Sequence, residues 1–142
     1  MEHIREDYLV NIFQQLSKAL TPDGGIFVSY PPWKSPYASH LNHVIKIPWV
    51  QFLPTSTVDK LIDKHNHPIV GDLESTLRES YEGLNHMTHK KLMGVIEQTS
   101  LKQAYRKSHT ILNRVTPFKQ TNFRIFPLNY LITKEFILLK NK

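Results

Sequence analysis

The stretch from residue 5 to residue 30 constrains the fold most, because it combines a helix, a reversal and a strand. Apolar residues recur there at three- and four-residue steps, as on one face of an amphipathic helix: Tyr8, Leu9, Ile12, Phe13, Leu16, Ala19 and Leu20. Pro22 and the pair Gly24-Gly25 end this helix, predicted over residues 5–20. The apolar run 26–30 then predicts a short strand covered on both faces. This order is typical of one layer unit of an α/β sheet.

Composition limits the chain to one globular domain. It has 142 residues, of which 40% are hydrophobic and 21% are charged, enough for one core but not for two. Cysteine is absent, which excludes a disulfide framework and a thiolate nucleophile. No run is apolar enough for a membrane span and no signal pattern is present, so we expect a cytoplasmic protein without a membrane partner.

The net charge of +6 permits attraction to anionic partners. The basic residues are spread along the chain, and neither aromatic stacking nor a groove-entering motif accompanies them in the sequence. We therefore expect no nucleic-acid partner.

The rest of the chain divides into a loop, a helical segment and two further strands. Residues 31–55 contain five of the nine prolines and predict a long, shaped loop. Strands are predicted over residues 102–112 and 135–140, separated by an irregular stretch. Three short helices are predicted between loop and strands: 56–65 opened by a capping box at Ser56, 73–82 capped by Asp72 and stopped by Gly83, and 89–98 capped by Thr88.

Four stretches within residues 1–54 carry a family resemblance: Glu2-His3-Ile4, Pro22-Asp23-Gly24-Gly25, the run from Pro31 to His40, and Ile47-Pro48-Trp49. They resemble class I S-adenosylmethionine-dependent methyltransferases, within them a type 11-like group. Those chains have Glu-His after their fourth strand, then a helix, a Leu-x-Pro-Gly-Gly turn, the fifth strand and a Pro-Pro-Trp loop. This chain inserts Asp23 into the turn and has Ala38-Ser39 where two glycines are usual.

The resemblance implies an α/β fold: a partial Rossmann-like methyltransferase sheet with a helical insertion. We expect one incomplete domain over residues 1–142, with a core helix and strand over 1–30, the loop and insertion over 31–100, and a strand pair over 101–142. The last strand is expected between the other two and antiparallel to both. The family's Gly-x-Gly-x-Gly turn is not formed by the five glycines of this sequence, so we expect a truncated domain.

The implied activity is methyl transfer from S-adenosylmethionine to a small-molecule acceptor. Glu2 and His3 would line the cofactor, and His40 would be the general base, since its ordinary pKa is near neutrality. The acceptor would be bound by Pro31, Pro32, Trp33, Tyr37 and Trp49, in a loop that follows the carboxyl end of a strand.

Structural roles remain open for each of these residues. His3 could be a frayed terminal side chain, and His40 a loop histidine bonded to backbone. Trp33 could pack over the helical segment, and Trp49 could belong to the core.

The alternative to an enzyme is a non-catalytic interaction module or an inactive remnant. The strand at 26–30 would then expose an unpaired edge, which invites a complementing amino-terminal half or a second copy of the chain. The close histidine pairs converge on no carboxylates with ligand spacing, so we expect no metal: His40 and His43, His65 and His67, His86 and His89.

Overall fold

The computed structural model describes Met1 and residues 3–65, 76–114 and 124–142. The predictions for Glu2, His67 and Asp72 lie outside these described residues. The elements, in chain order, are α1 (Glu6–Ala19), β1 (Ile26–Tyr30), α2 (Thr55–His65), α3 (Leu77–Glu82), α4 (His89–Glu97), β2 (Leu101–Thr110) and β3 (Ile132–Asn141). Short 3-10 turns occupy Leu41–His43, Val50–Phe52, Ile111–Arg114 and Leu128–Leu131.

The three strands form one sheet in the order β1-β3-β2. β3 is antiparallel to both neighbours, with Val28 opposite Ile137 on one side and Ser108 opposite Glu135 on the other. This confirms the expected position and direction of the last strand. β2 begins at Leu101 and ends at Thr110, earlier than predicted, because Ile111 enters a 3-10 turn.

One face of the sheet carries the main core. Leu9 and Phe13 of α1 pack there with Leu92 and Ile96 of α4, against inward side chains of the strands that include Ile137. The period-2 alternation of the strands and the 3.6-residue period of the helices produce this layer. The predicted helix over residues 5–20 is confirmed in substance, although Tyr8 and Leu16 of its apolar face remain 56% and 42% exposed.

The opposite face of the sheet corrects the expectation of a strand covered on both sides. Phe27 is 66% exposed, and its ring stacks on Phe136 with centroids 5.8 Å apart. Tyr105 of β2 is 56% exposed. Since α1 and α4 both pack on the other face, an apolar strip across this outer face stays open to solvent within the described part of the chain.

A second core joins the loop to the helical insertion. Leu41 and Val50 of the loop pack with Val58 and Ile62 of α2 and with Leu77 of α3. The loop at residues 31–55 is therefore folded onto the insertion and has its own apolar anchor.

Arg78 links the two insertion helices. Its guanidinium lies 2.6 Å from Asp63 and 3.4 Å from Asp59 of α2, and 3.1 Å from Glu82 of α3. Hydrogen bonds from Arg78 to Asp63 and Glu82 raise its pKa above the ordinary arginine value. Because Arg78 reaches both helices, it fixes α3 against α2.

The helix starts differ from prediction at two positions. α2 begins at Thr55, so Ser56 lies inside it, and the carbonyl of Pro54 accepts from the amides of Thr57 and Val58. The described part of the second helix begins at Leu77 rather than 73, with a capping box formed by Thr76 and Glu79. Its predicted stop at Gly83 is confirmed.

The predicted cap at Thr88 is confirmed. Its Oγ1 accepts from the amide of Lys91, at 3.2 Å.

In the described ranges, no helix combines the length and apolarity needed to cross a bilayer.

Candidate functional site

A cavity of about 320 Å³ opens beside the carboxyl end of β1. It lies between the start of the loop, the amino end of α4 and the inner side of β2 and β3. We call it the basic cavity. Its walls are Pro32, Lys34, Thr88, His89, Lys90, Arg106, Arg124, Asn129, Ile132 and Glu135. Its volume is near the lower end of the range for small-molecule sites.

The floor of the basic cavity is an ion pair between β2 and β3. Nε and Nη2 of Arg106 each donate to one oxygen of Glu135, both at 2.7 Å, and Ser108 Oγ donates to the same carboxylate at 3.3 Å. Burial alone would lower the pKa of Arg106, but its hydrogen bonds to Glu135 and the negative charge of Glu135 together raise it. The carboxylate, 1% exposed, is thus neutralised inside the fold.

Three further cations surround the cavity without a carboxylate partner in the described part of the chain: Lys34, Lys90 and Arg124. Lys34 Nζ lies 5.3 Å from the ring centroid of Tyr130, within cation–π range. Arg124 donates to the carbonyl of Arg106. Since Arg106 and Glu135 cancel each other, these three side chains give the cavity a net positive charge.

The amino end of α4 adds oriented dipoles to this wall. Thr88, His89 and Lys90 are the cap and the first two helical residues, and the first amides of a helix have no acceptor within it. Burial lowers the pKa of His89, and the charge of Arg106 lowers it further. His89 is therefore neutral near pH 7, and its Nδ1 has no hydrogen-bond partner in the described structure.

Tyr30 lies behind the ion pair, opposite Glu135 in the β1–β3 register. Its side chain is fully buried, and its hydroxyl has no partner among the described residues. Burial and the charge of Glu135 raise the pKa of Tyr30, so the hydroxyl stays protonated. A buried, unpaired donor beside a carboxylate is costly to keep.

The structure brings together two of the predicted site residues. The rings of His3 and His40 meet edge to face, with centroids 4.8 Å apart and planes inclined by 71°. His40 has φ 58°, in the left-handed region, at the entrance to a 3-10 turn. This pair does not line the basic cavity, so the predicted general base and the cavity are separate features of the loop.

The aromatic residues predicted to bind the acceptor lie in several different places. Trp33 stacks on His86, with ring centroids 3.9 Å apart, and lies 6.2 Å from the ring of Tyr81 on α3. This contact matches the alternative in which Trp33 packs over the helical segment. Trp49 donates its indole N–H to the carbonyl of Tyr130 at 3.3 Å.

The other three predicted acceptor residues lie along the same loop. Tyr37 is 47% exposed, Pro31 is half-buried, and the buried Pro32 alone of the five predicted residues lines the basic cavity. Gln51 holds the loop in shape, because its Nε2 donates to the carbonyls of Trp33 and Ser35.

Sequence reasoning missed the charged residues of the cavity. One signal was available for Glu135: the alternation of β3 places it on the same inward face as Ile137 and Leu139, where an acid needs a partner. Lys34, Lys90 and Arg124 gave no signal, because only the folded chain brings them together.

The methyl donor implied by the resemblance does not fit the basic cavity. The sulfonium of S-adenosylmethionine is a cation, whereas the cavity holds three cations that have no carboxylate partner among the described residues, and one carboxylate already neutralised by Arg106. Of the predicted donor residues, His3 contacts His40 and Glu2 lies outside the described residues. The residues that line the basic cavity therefore do not suit the methyl donor, and their net positive charge suits an anion.

In the part of the chain that the structure describes, no group of three or more His, Asp or Glu side chains could hold a metal ion. The fold and cavity define a small α/β chain with a positively charged cavity at the end of a strand. No protein-family model matches the chain, and no curated protein or solved structure matches it either.

Proposed function

We propose that this chain provides the acceptor side of an S-adenosylmethionine-dependent methyltransferase, transferring a methyl group to a small molecule. The observation that carries the proposal is the sheet order β1-β3-β2, with an antiparallel central strand and a helix before β1. The close sequence resemblance covers only residues 1–54, yet it predicts this arrangement for β2 and β3, which lie far outside that region. We further propose that it works in the cytoplasm.

The basic cavity is the acceptor site in this proposal. It lies at the carboxyl end of β1, where open α/β sheets bind ligands. Pro32, one of the residues predicted to bind the acceptor, lines it. His40 lies outside the cavity lining, so the acceptor would be anchored in the cavity and extend to the His3–His40 pair, where His40 would take the proton from its hydroxyl or amine. The donor would be held by a complementing amino-terminal half, because the basic cavity does not suit its positive charge.

The test compares the chain alone with the chain bound to its proposed amino-terminal partner. Calorimetric titration of the purified chain with S-adenosylmethionine should give no micromolar binding. The tagged chain is recovered from its own cells together with its bound partners. This complex should transfer radiolabelled methyl groups to small molecules, which pass through a filter that retains protein. His40→Asn should lower that transfer by about 100-fold, as expected when a general base is lost.

A matched variant is His65→Asn, which makes the same change at the carboxyl end of α2, outside the loop and the cavity lining. It should leave the transfer unchanged. Micromolar donor binding by the chain alone would contradict the complementation, and recovered complexes without transfer would contradict the proposed activity.

A second function is favoured by the open edge and outer face of the sheet. In the described structure β1 pairs with β3 only, and the exposed Phe27 stands beside this edge. A row of free backbone groups next to an apolar strip is a template for strand addition. As an interaction module, the chain would add a strand from a partner or from a second copy.

Light scattering over a wide concentration range tests this second function. Self-pairing predicts a dimer that Phe27→Lys disrupts, with Tyr8→Lys on the exposed side of α1 as the matched control. A monomer at every concentration, together with recovery from cells as a free chain, would contradict edge pairing.

A further inference from the structure

We propose that the basic cavity binds a small organic anion, and that a phosphate monoester matches it best. The claim that this anion is the methyl acceptor rests on the proposed function. The claim that the cavity binds the anion rests on the cavity alone. The first step is the charge balance. Glu135 is the only carboxylate among the described lining residues, and Arg106 already neutralises it through two hydrogen bonds of 2.7 Å.

The second step concerns the remaining cations. Lys34, Lys90 and Arg124 reach the cavity from the loop, α4 and the segment before β3, and none has an ion-pair partner within the described ranges. Three cations around one small volume repel one another, and an anion between them removes that repulsion. Because a phosphate monoester carries nearly two charges near pH 7, it matches them better than a monocarboxylate does.

The third step concerns the direction of the donors. Thr88, His89 and Lys90 line the cavity and form the amino end of α4, so the positive dipole end of this helix lies at the cavity wall. This helix end joins the three cations, two of which, Lys34 and Arg124, lie on other segments of the fold.

The fourth step concerns the organic part of the ligand. Pro32 and Ile132 supply an apolar side to the same cavity. The volume of about 320 Å³ admits a single ring with a charged group and little more. The geometry therefore fits a small aryl or alkyl phosphate.

The experiment is calorimetric titration of the full-length chain, without S-adenosylmethionine, using phenyl phosphate, benzoate and phenol at physiological salt. Phenyl phosphate should bind most tightly and phenol should show no binding. Lys34→Gln, Lys90→Gln and Arg124→Gln should each weaken phenyl phosphate binding about tenfold, because each removes a charge-assisted contact. Lys60→Gln, an exposed lysine of α2, is the matched control and should change it less than twofold.

Glu135→Gln should change the affinity for phenyl phosphate in the opposite direction. It releases Arg106 from its carboxylate and makes the cavity more positive, so phenyl phosphate should bind several-fold more tightly to the folded protein, as judged by circular dichroism. If this variant does not fold, the three lysine and arginine variants still decide the question.

Three results would overturn the proposal: equal binding of phenol and phenyl phosphate, no binding of phenyl phosphate at millimolar concentration, or losses in the cavity variants no larger than in Lys60→Gln. Tighter binding of benzoate than of phenyl phosphate would overturn the assignment to phosphate. Since no donor is present, these results are independent of methyl transfer. Phosphate binding without methylation would contradict the proposed function alone.

Discussion

Arg106 and Glu135 form a two-point ion pair across neighbouring strands, with Nε to Oε2 and Nη2 to Oε1 both at 2.7 Å. The carboxylate is 1% exposed and the guanidinium 19%, so the pair belongs to the interior of the fold. A charge in such a place is retained only with its partner, since its desolvation otherwise goes uncompensated.

Glu135→Ala should therefore destabilise the protein by about 3 kcal/mol, because it leaves the Arg106 guanidinium partly buried and unpaired. The free energy of unfolding from urea titration is the measurement. Glu97→Ala, an exposed carboxylate on α4, is the control, and we expect a change within about 0.5 kcal/mol. Equal effects of the two substitutions would mean that the ion pair contributes nothing to stability.

Tyr30→Phe should leave stability unchanged or raise it by up to about 1 kcal/mol. The substitution removes a buried hydroxyl that has no partner among the described residues, and keeps the ring in the core. Thermal and urea unfolding measure the change. A loss above about 1 kcal/mol would show that the hydroxyl makes a favourable hydrogen bond, to Glu135 or to an ordered water.

His40→Gly should separate stability from activity. The left-handed backbone at His40, with φ 58°, costs a non-glycine residue about 1 kcal/mol, which glycine avoids. We expect a stability equal to or above that of the parent chain, together with loss of methyl transfer in the recovered complex. His40→Ala is the comparison, since it also removes the ring but keeps the strained backbone. Full activity in His40→Gly would exclude His40 as the general base.

The pH dependence of stability should reflect the two histidines with lowered pKa values, His86 and His89. Burial lowers both, helped by Lys91 for His86 and by Arg106 for His89. The unfolded chain binds more protons than the folded chain once the pH falls below the unfolded histidine pKa of about 6.5. Their contribution to stability is complete above that pH and is lost as the pH falls toward the folded pKa values.

Urea unfolding at several pH values between 5 and 7.5 tests this sign. Stability should decrease on acidification, and His89→Gln should flatten the decrease because glutamine does not titrate. A slope identical to that of the parent chain would show that His89 does not contribute to the pH dependence.

Several elements could be predicted from the sequence because their causes are local. The apolar period of α1, the cap at Thr88 and the apolar runs of β1 and β3 depend on residues close along the chain. The cap of α3 could not be predicted in the same way, because aspartate and threonine are both good capping residues and only the fold selects Thr76.

The coverage of β1 could not be predicted in this way. An apolar run looks the same whether one or both faces are buried, and Phe27 is exposed only because α1 and α4 pack on the same side of the sheet. That choice is made by helix packing, which involves residues far apart in sequence.

The sequence by itself determined the helices, the three strands and, through its resemblance, the antiparallel position of β3. Only the tertiary structure decided what the site is made of. Lys34, Lys90, Arg106, Arg124 and Glu135 come from five separate segments, and no spacing between them carries a signal. They form one cavity because β3 lies between β1 and β2 and α4 begins beside it. Their electrostatic interactions depend on distance in space, which the order of residues along the chain does not encode.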